Sequence, residues 1–126
     1  MSATKPLRVM LVEDHTAFRQ ALALLLSHEP DLEVVAQAGS LAEARQALLE
    51  GRLDVAVLDL ALPDGDARAL IGELRRSNPG VRIVVLSATV WAGHVEELRK
   101  AGADAVFDKV RSYWTIAEDV RRLAGR

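Results

Sequence analysis

The chain has 126 residues, half of them apolar and 27% charged, with a formal net charge of −2 and no cysteine. A chain of this size buries about two thirds of its unfolded surface in one core, so 1–126 reads as a single domain with its core at about 7–124. Disulfides, zinc–thiolate centres and thiol nucleophiles are excluded; dispersed Lys and Arg argue against a nucleic-acid-binding face; and the longest unbroken apolar run, Ala21–Leu26, is far too short to span a bilayer.

The elements alternate along the chain. The first strand is predicted at Leu7–Val12, where Val9-Met10-Leu11-Val12 is apolar on both faces. Phe18, Ala21, Leu22 and Leu25 then recur at i, i+3, i+4 and i+7, a helical stripe. A second strand follows at Leu32–Ala36, and a second helix carries Leu41, Ala44 and Leu48, with Arg45 interrupting its apolar stripe. Ser40-Leu41-Ala42-Glu43 is a capping-box pattern for that helix.

The third strand is predicted at Asp54–Asp59, the breakers Pro63–Gly65 follow it, and Leu70 and Leu74 mark the third helix. The fourth strand is Val81–Leu86, followed by a helix with Trp91, Val95 and Leu98. The fifth strand is Ala103–Phe107, and the last helix carries Tyr113, Ile116, Ala117, Val120 and Leu123. Continuous apolar strands are buried on both faces, as in a parallel sheet covered by helices. Alternating strands and helices give right-handed crossovers. The fold class is therefore α/β, a doubly wound (βα)5 sandwich, and the expected sheet order is the flavodoxin-like 2-1-3-4-5.

In that order the first and third strands are neighbours, and their carboxyl ends open into one crevice. The first ends in Val12-Glu13-Asp14 and the third in Leu58-Asp59-Leu60, so three carboxylates converge. Such a cluster repels itself unless a cation neutralises it, and a hard divalent ion with oxygen ligands, Mg²⁺, suits it. The fourth strand brings Ser87 to the same edge and the fifth brings Lys109. Taken singly, Asp14 and Ser87 also read as helix caps and Lys109 as a solvated lysine. Together they form a pocket suited to phosphate. His15 reads as a helix-start residue, His28 and His94 stand at no ligand spacing, and Asp64 and Asp66 read as turn and capping residues. Among the aromatics, Trp91 and Trp114 are candidates for exposure and partner contact.

These residues resemble the receiver-domain signature of two-component response regulators, over essentially the whole chain. Leu11-Val12-Glu13-Asp14-His15 is similar to the family's acidic pair, and Val57-Leu58-Asp59-Leu60-Ala61-Leu62-Pro63-Asp64-Gly65 to its phosphoacceptor segment. Ser87 matches the switch hydroxyl and Lys109 the lysine. The resemblance implies that Asp59 accepts a phosphoryl group. It also implies that Glu13, Asp14, Asp59 and the backbone carbonyl of Ala61 hold Mg²⁺ (or Mn²⁺), and that Ser87 and Lys109 engage the phosphoryl oxygens. Ser87 would then bias the surface of the fourth helix, fifth strand and fifth helix.

Val106 stands where the family commonly has an aromatic, and strand alternation sends Phe107 to the other face. Val110 follows the lysine, so a trans bond is expected there. Ala61 and Thr89 stand where the family tunes phosphoryl lifetime. The implied donor is a histidine kinase or histidine phosphotransfer protein. The implied output is an unknown protein or a C-terminal effector domain beyond this chain. Direct nucleic-acid and membrane contacts are not expected, a homodimer is allowed, and the compartment is the cytoplasm.

A phosphorylation-independent binding module on the same fold is the alternative. A turnover enzyme is not expected, because Leu60-Ala61 supplies no acid beside Asp59.

Overall fold

The computed structural model describes residues 5–88 and 92–126. Five parallel strands form the main sheet: β1 (Leu7–Val12), β2 (Leu32–Ala38), β3 (Val55–Asp59), β4 (Arg82–Ser87) and β5 (Ala105–Asp108). Their spatial order is β2-β1-β3-β4-β5, the order expected from the sequence. The helices are α1 (Thr16–Ser27), α2 (Leu41–Ala47), α3 (Arg68–Ser77), α4 (Ala92–Ala101) and α5 (Ile116–Leu123). Short 3-10 turns occupy Leu48–Glu50 and Arg111–Trp114, and Ala61–Leu62 pairs with Gly65–Asp66 in a small antiparallel hairpin.

Strand alternation sorts the core into two clusters. Met10, Val12, Ala56, Leu58, Ile83 and Val85 face Leu41, Ala44, Leu70, Ile71, Leu74 and Leu98 of α2, α3 and α4. Val9, Leu11, Val55, Val57, Val84 and Leu86 face Leu22 and Leu26 of α1 and Ile116 and Val120 of α5. Successive strand residues point to opposite faces, so a strand covered on both sides must be apolar throughout. That is why β3 is buried at every position. No helix among the described residues is long and apolar enough to cross a membrane.

Several element ends differ from the sequence expectation. β2 runs two residues further, to Ala38, and the amide of Glu13 donates to the Ala38 carbonyl at 2.8 Å. β4 is shifted one residue, so Ser87 is the last residue of the strand. α1 has His15 rather than Asp14 at its N-cap, and neither α1 nor α5 has a side-chain cap. The Ser40 hydroxyl does accept from the Glu43 amide, while Glu43 reaches back to the amide of Gly39 rather than to that of Ser40. Arg45 leaves the apolar stripe of α2 to form hydrogen bonds of 2.9 and 3.0 Å with Glu73 on α3.

Asn78, which reads in sequence only as part of a breaker, is a buried strut. Its Oδ1 accepts from the Leu53 amide at 2.9 Å, and its carbonyl accepts from the Val81 amide. Asn78→Ala strands a buried donor just before β3. The expected loss is about 1–3 kcal/mol, read as a lower urea midpoint with unchanged slope.

Candidate functional site

The carboxyl edge of the sheet gathers the residues singled out from the sequence. β1 delivers Glu13 and Asp14, β3 ends in Asp59, β4 ends in Ser87, and Lys109 follows β5. The β4–β5 register sets Ser87 opposite Asp108, and the Lys109 amide donates to the Ser87 carbonyl at 2.9 Å. Glu13 is 3% exposed and Asp59 8%, while Asp14 is exposed, so the acidic cluster has a buried floor and an open rim.

Hydrogen bonds fix the floor. Glu13 Oε2 accepts from the His15 amide at 3.0 Å, and the Glu13 carbonyl accepts from the Arg19 guanidinium at 2.7 Å. Lys109 Nζ lies 2.7 Å from Glu13 Oε1 and 3.5 Å from Asp59 Oδ2, and 5.0 Å from the centroid of the Phe18 ring. The ammonium thus spans the two buried carboxylates while resting on an aromatic face, an arrangement favourable to a desolvated cation. The amide of Ala61 approaches Asp59 Oδ1 at 3.4 Å, which keeps Ala61 beside the site.

The electrostatics show what the cluster lacks. Burial is the largest influence on Glu13 and raises its carboxyl above the ordinary value. Hydrogen bonds from Lys109 and the His15 amide lower it, the charge of Asp59 raises it, and the net shift is upward. For Lys109 burial is again the largest influence and pulls the ammonium down, but Glu13 and Asp59 outweigh it and hold it above its ordinary value. One ammonium therefore does not neutralise three carboxylates. Glu13, Asp14 and Asp59 each offer an oxygen, and these lie within 4.8 Å of one another. An all-oxygen set with unbalanced negative charge fits a hard divalent cation such as Mg²⁺ or Mn²⁺.

The hairpin after Asp59 is tied to α2. Asp64 Oδ1 and Oδ2 accept from the amides of Leu41 and Ala42 at 2.7 and 3.0 Å, and these bonds hold its carboxyl below the ordinary value. Gly65 has φ of +144°, a conformation that strains any side-chain-bearing residue, and a Cβ there would also press on Leu41 Cδ1 at 2.9 Å. Asp66 accepts from the Arg68 amide at the start of α3. Both aspartates are thus turn and capping groups, as expected, although Asp64 caps a helix more than twenty residues before it in the chain.

Val106 packs in the cluster facing α3 and α4, and Phe107 in the cluster on the opposite face. No peptide bond among the described residues is cis. Trp114 is 82% exposed, with Tyr113 edge-on to it at 4.9 Å. Trp91 and Thr89 lie outside the described residues. Two polar residues escape sequence reasoning. Asp108 Oδ1 accepts from the amides of Val110 and Arg111, which shapes the turn after Lys109. His94 on α4 is buried, with Nε2 at 3.4 Å from the Ser87 hydroxyl. A concavity at the opposite, amino edge, lined by Gly51, Arg52, Leu53, Asn78 and Pro79, lies away from this chemistry.

Comparison with known proteins gives a consistent result. The family model for the response regulator receiver domain matches residues 9–121. The chain is 43% identical over 120 residues to the DNA-binding transcriptional activator DevR/DosR of Mycobacterium tuberculosis, covering 94% of this chain and 55% of that protein. The chain spans about half the length of the curated relatives it matches. A two-component response regulator of the LuxR family from Aurantimonas sp. SI85-9A1 superposes with a TM-score of 0.86 at 27% identity, over 97% of this chain and 88% of that one. In the complex of the P1 domain of CheA3 with CheY6 from R. sphaeroides, the matching chain has a TM-score of 0.81 and 28% identity, over 98% of this chain and all of that one.

Proposed function

The chain belongs to the response regulator receiver domain family of two-component systems, and from that premise we propose that it is a phosphorylation switch whose acceptor is Asp59. The observation that carries this reading is the Lys109 ammonium bridging the buried Glu13 and Asp59 at the edge where Asp14 and Ser87 also end.

In the proposed reaction an Asp59 carboxylate oxygen attacks the phosphorus of a phosphohistidine in line. The new bond is O–P, the P–N bond breaks, and the imidazole leaves with the electron pair. Glu13, Asp14, Asp59 and the carbonyl of Ala61 would hold Mg²⁺, which supplies counter-charge for the phosphoryl oxygens when bound. Lys109 keeps the Asp59 carboxylate oriented and adds positive charge where the equatorial oxygens become more negative, so the residues act by positioning and electrostatics. Ser87 then turns to donate to a phosphoryl oxygen. The phosphoryl group favours one of two existing conformations of the α4–β5–α5 surface. Nothing in this sequence of events releases phosphate repeatedly, so the chain is an acceptor and not a turnover enzyme.

We assign the whole of 1–126 to this one domain, acting in the cytoplasm. The donor is a histidine kinase or histidine phosphotransfer protein; the solved complex of a similar chain with the P1 domain of CheA3 is in keeping with a protein donor. The output is a partner protein or an effector domain, the latter supported by the greater length of DevR/DosR. Incubation with a small acyl phosphate and Mg²⁺ is expected to add one phosphoryl group by intact mass. Chelation of the metal is expected to abolish the adduct. An adduct of equal yield in excess chelator would remove the metal from the account.

A further inference from the structure

Ser87 and His94 form a contact that the chemistry above does not use. Ser87 is 6% exposed and its backbone is fixed by the bond from the Lys109 amide. Its hydroxyl lies 3.4 Å from Nε2 of His94, also 6% exposed, in the first turn of α4. A buried imidazole is costly unless its nitrogens are hydrogen-bonded, whereas an aliphatic side chain at that position would pack without the cost. Further along α4, Leu98 is fully buried and Glu97 pairs with Arg68 of α3. The middle of the helix is therefore anchored by packing, while its first turn meets the end of β4 through a polar contact.

A serine hydroxyl carries one proton. In the tautomer with Nε2 unprotonated the hydroxyl donates to His94, and that proton is then not available to a phosphoryl oxygen on Asp59. Resting on the function proposed above, the geometry points to His94 as a positioning residue. It holds the Ser87 hydroxyl in the unphosphorylated state and ties it to the first turn of α4. Phosphorylation exchanges the Ser87–His94 hydrogen bond for a Ser87–phosphoryl one and releases that turn. The strength of the imidazole contact then sets how readily phosphorylation reaches α4, because a ligand shifts a two-state equilibrium only by its differential interaction with the two states.

The test is hydrogen exchange of peptides from α4, with Mg²⁺ and with or without acetyl phosphate, while intact mass records the adduct. Wild type, His94→Leu and His94→Gln are compared, and protection of β3 and β4 amides reports that each is folded. In wild type, phosphorylation should speed exchange in the first turn of α4 by about five-fold, the equivalent of one net hydrogen bond. His94→Leu should take up the phosphoryl group yet exchange at the fast rate in both states. His94→Gln, which restores a hydrogen-bonding group, should behave as wild type does. An adduct on wild type without any change in α4, or a wild-type-sized change in His94→Leu, would overturn the role of His94 alone. No adduct on wild type would overturn the acceptor reading itself, and this inference with it.

Discussion

Asp59→Asn is expected to fold, to resist urea better than wild type in magnesium-free buffer, and to take up no phosphoryl group. The amide keeps the shape of the carboxylate and removes one of three negative charges whose oxygens lie within 4.8 Å. The charge of Asp59 is one of the causes that lift Glu13 above its ordinary value. Removing that repulsion favours the folded state. Loss of the 3.5 Å approach to Lys109 takes back part of that. The net gain should be on the order of 1 kcal/mol, the usual size for relieving an unfavourable charge, seen as a higher urea midpoint at unchanged slope. A neutral amide oxygen is too weak a nucleophile to displace imidazole from phosphorus, so the adduct should fall below detection. A variant that is more stable and inert would separate the chemistry from the fold, the trade-off expected where like charges are held together for function. A lower midpoint would mean that attraction to Lys109 outweighs repulsion among the carboxylates.

Lys109→Met should lose on both counts. Methionine keeps much of the packing over Phe18 but leaves Glu13 and Asp59 buried without their ammonium. Removing one partner of a buried ion pair costs about 3–5 kcal/mol, and the lower end applies because the lysine side chain retains 17% exposure. Phosphorylation by acetyl phosphate should slow by about 10²–10³-fold, the scale set by removing one charge-stabilising donor from a reacting centre. Mg²⁺ should recover part of the lost stability, since an ion that binds only the folded state stabilises it by mass action. Denaturation with and without Mg²⁺, run beside single-turnover labelling, checks all three. A variant as stable as wild type in the absence of metal would show that Lys109 does not offset the buried carboxylates.

Much of this was legible in the sequence because the underlying rules are local. β1 and β3 announce themselves as runs apolar on both faces, and Glu13, Asp14 and Asp59 follow directly from where those runs stop. The parallel order then brings their ends together. Elsewhere the local signal was ambiguous. In α1, the run Ala21–Leu26 is apolar throughout, so the stripe Phe18, Ala21, Leu22 and Leu25 misplaces its end: Leu26, not Leu25, is buried with Leu22, and Leu24 is 60% exposed. The end of β4 lies one residue beyond the apolar run, because a terminal serine carries no hydrophobic signal that it continues the strand. What could not be read depends on contacts between distant segments. Asp64 caps α2, Asn78 braces Leu53, and His94 meets Ser87 only after α4 has packed on the sheet. A lone histidine on an amphipathic helix carries no sequence sign that its ring is buried against a hydroxyl.

The most direct test of the central claim is the location of the phosphoryl group. Wild-type protein is labelled with acetyl phosphate and Mg²⁺, reduced with borohydride, which converts an aspartyl phosphate to homoserine, and mapped by peptide mass spectrometry. The expected result is a single modified residue, Asp59, absent from the chelated sample and from Asp59→Asn. Modification at another residue, or none with acetyl phosphate and with a panel of phosphohistidine proteins, would contradict the switch and leave a receiver fold that binds its partners without phosphate.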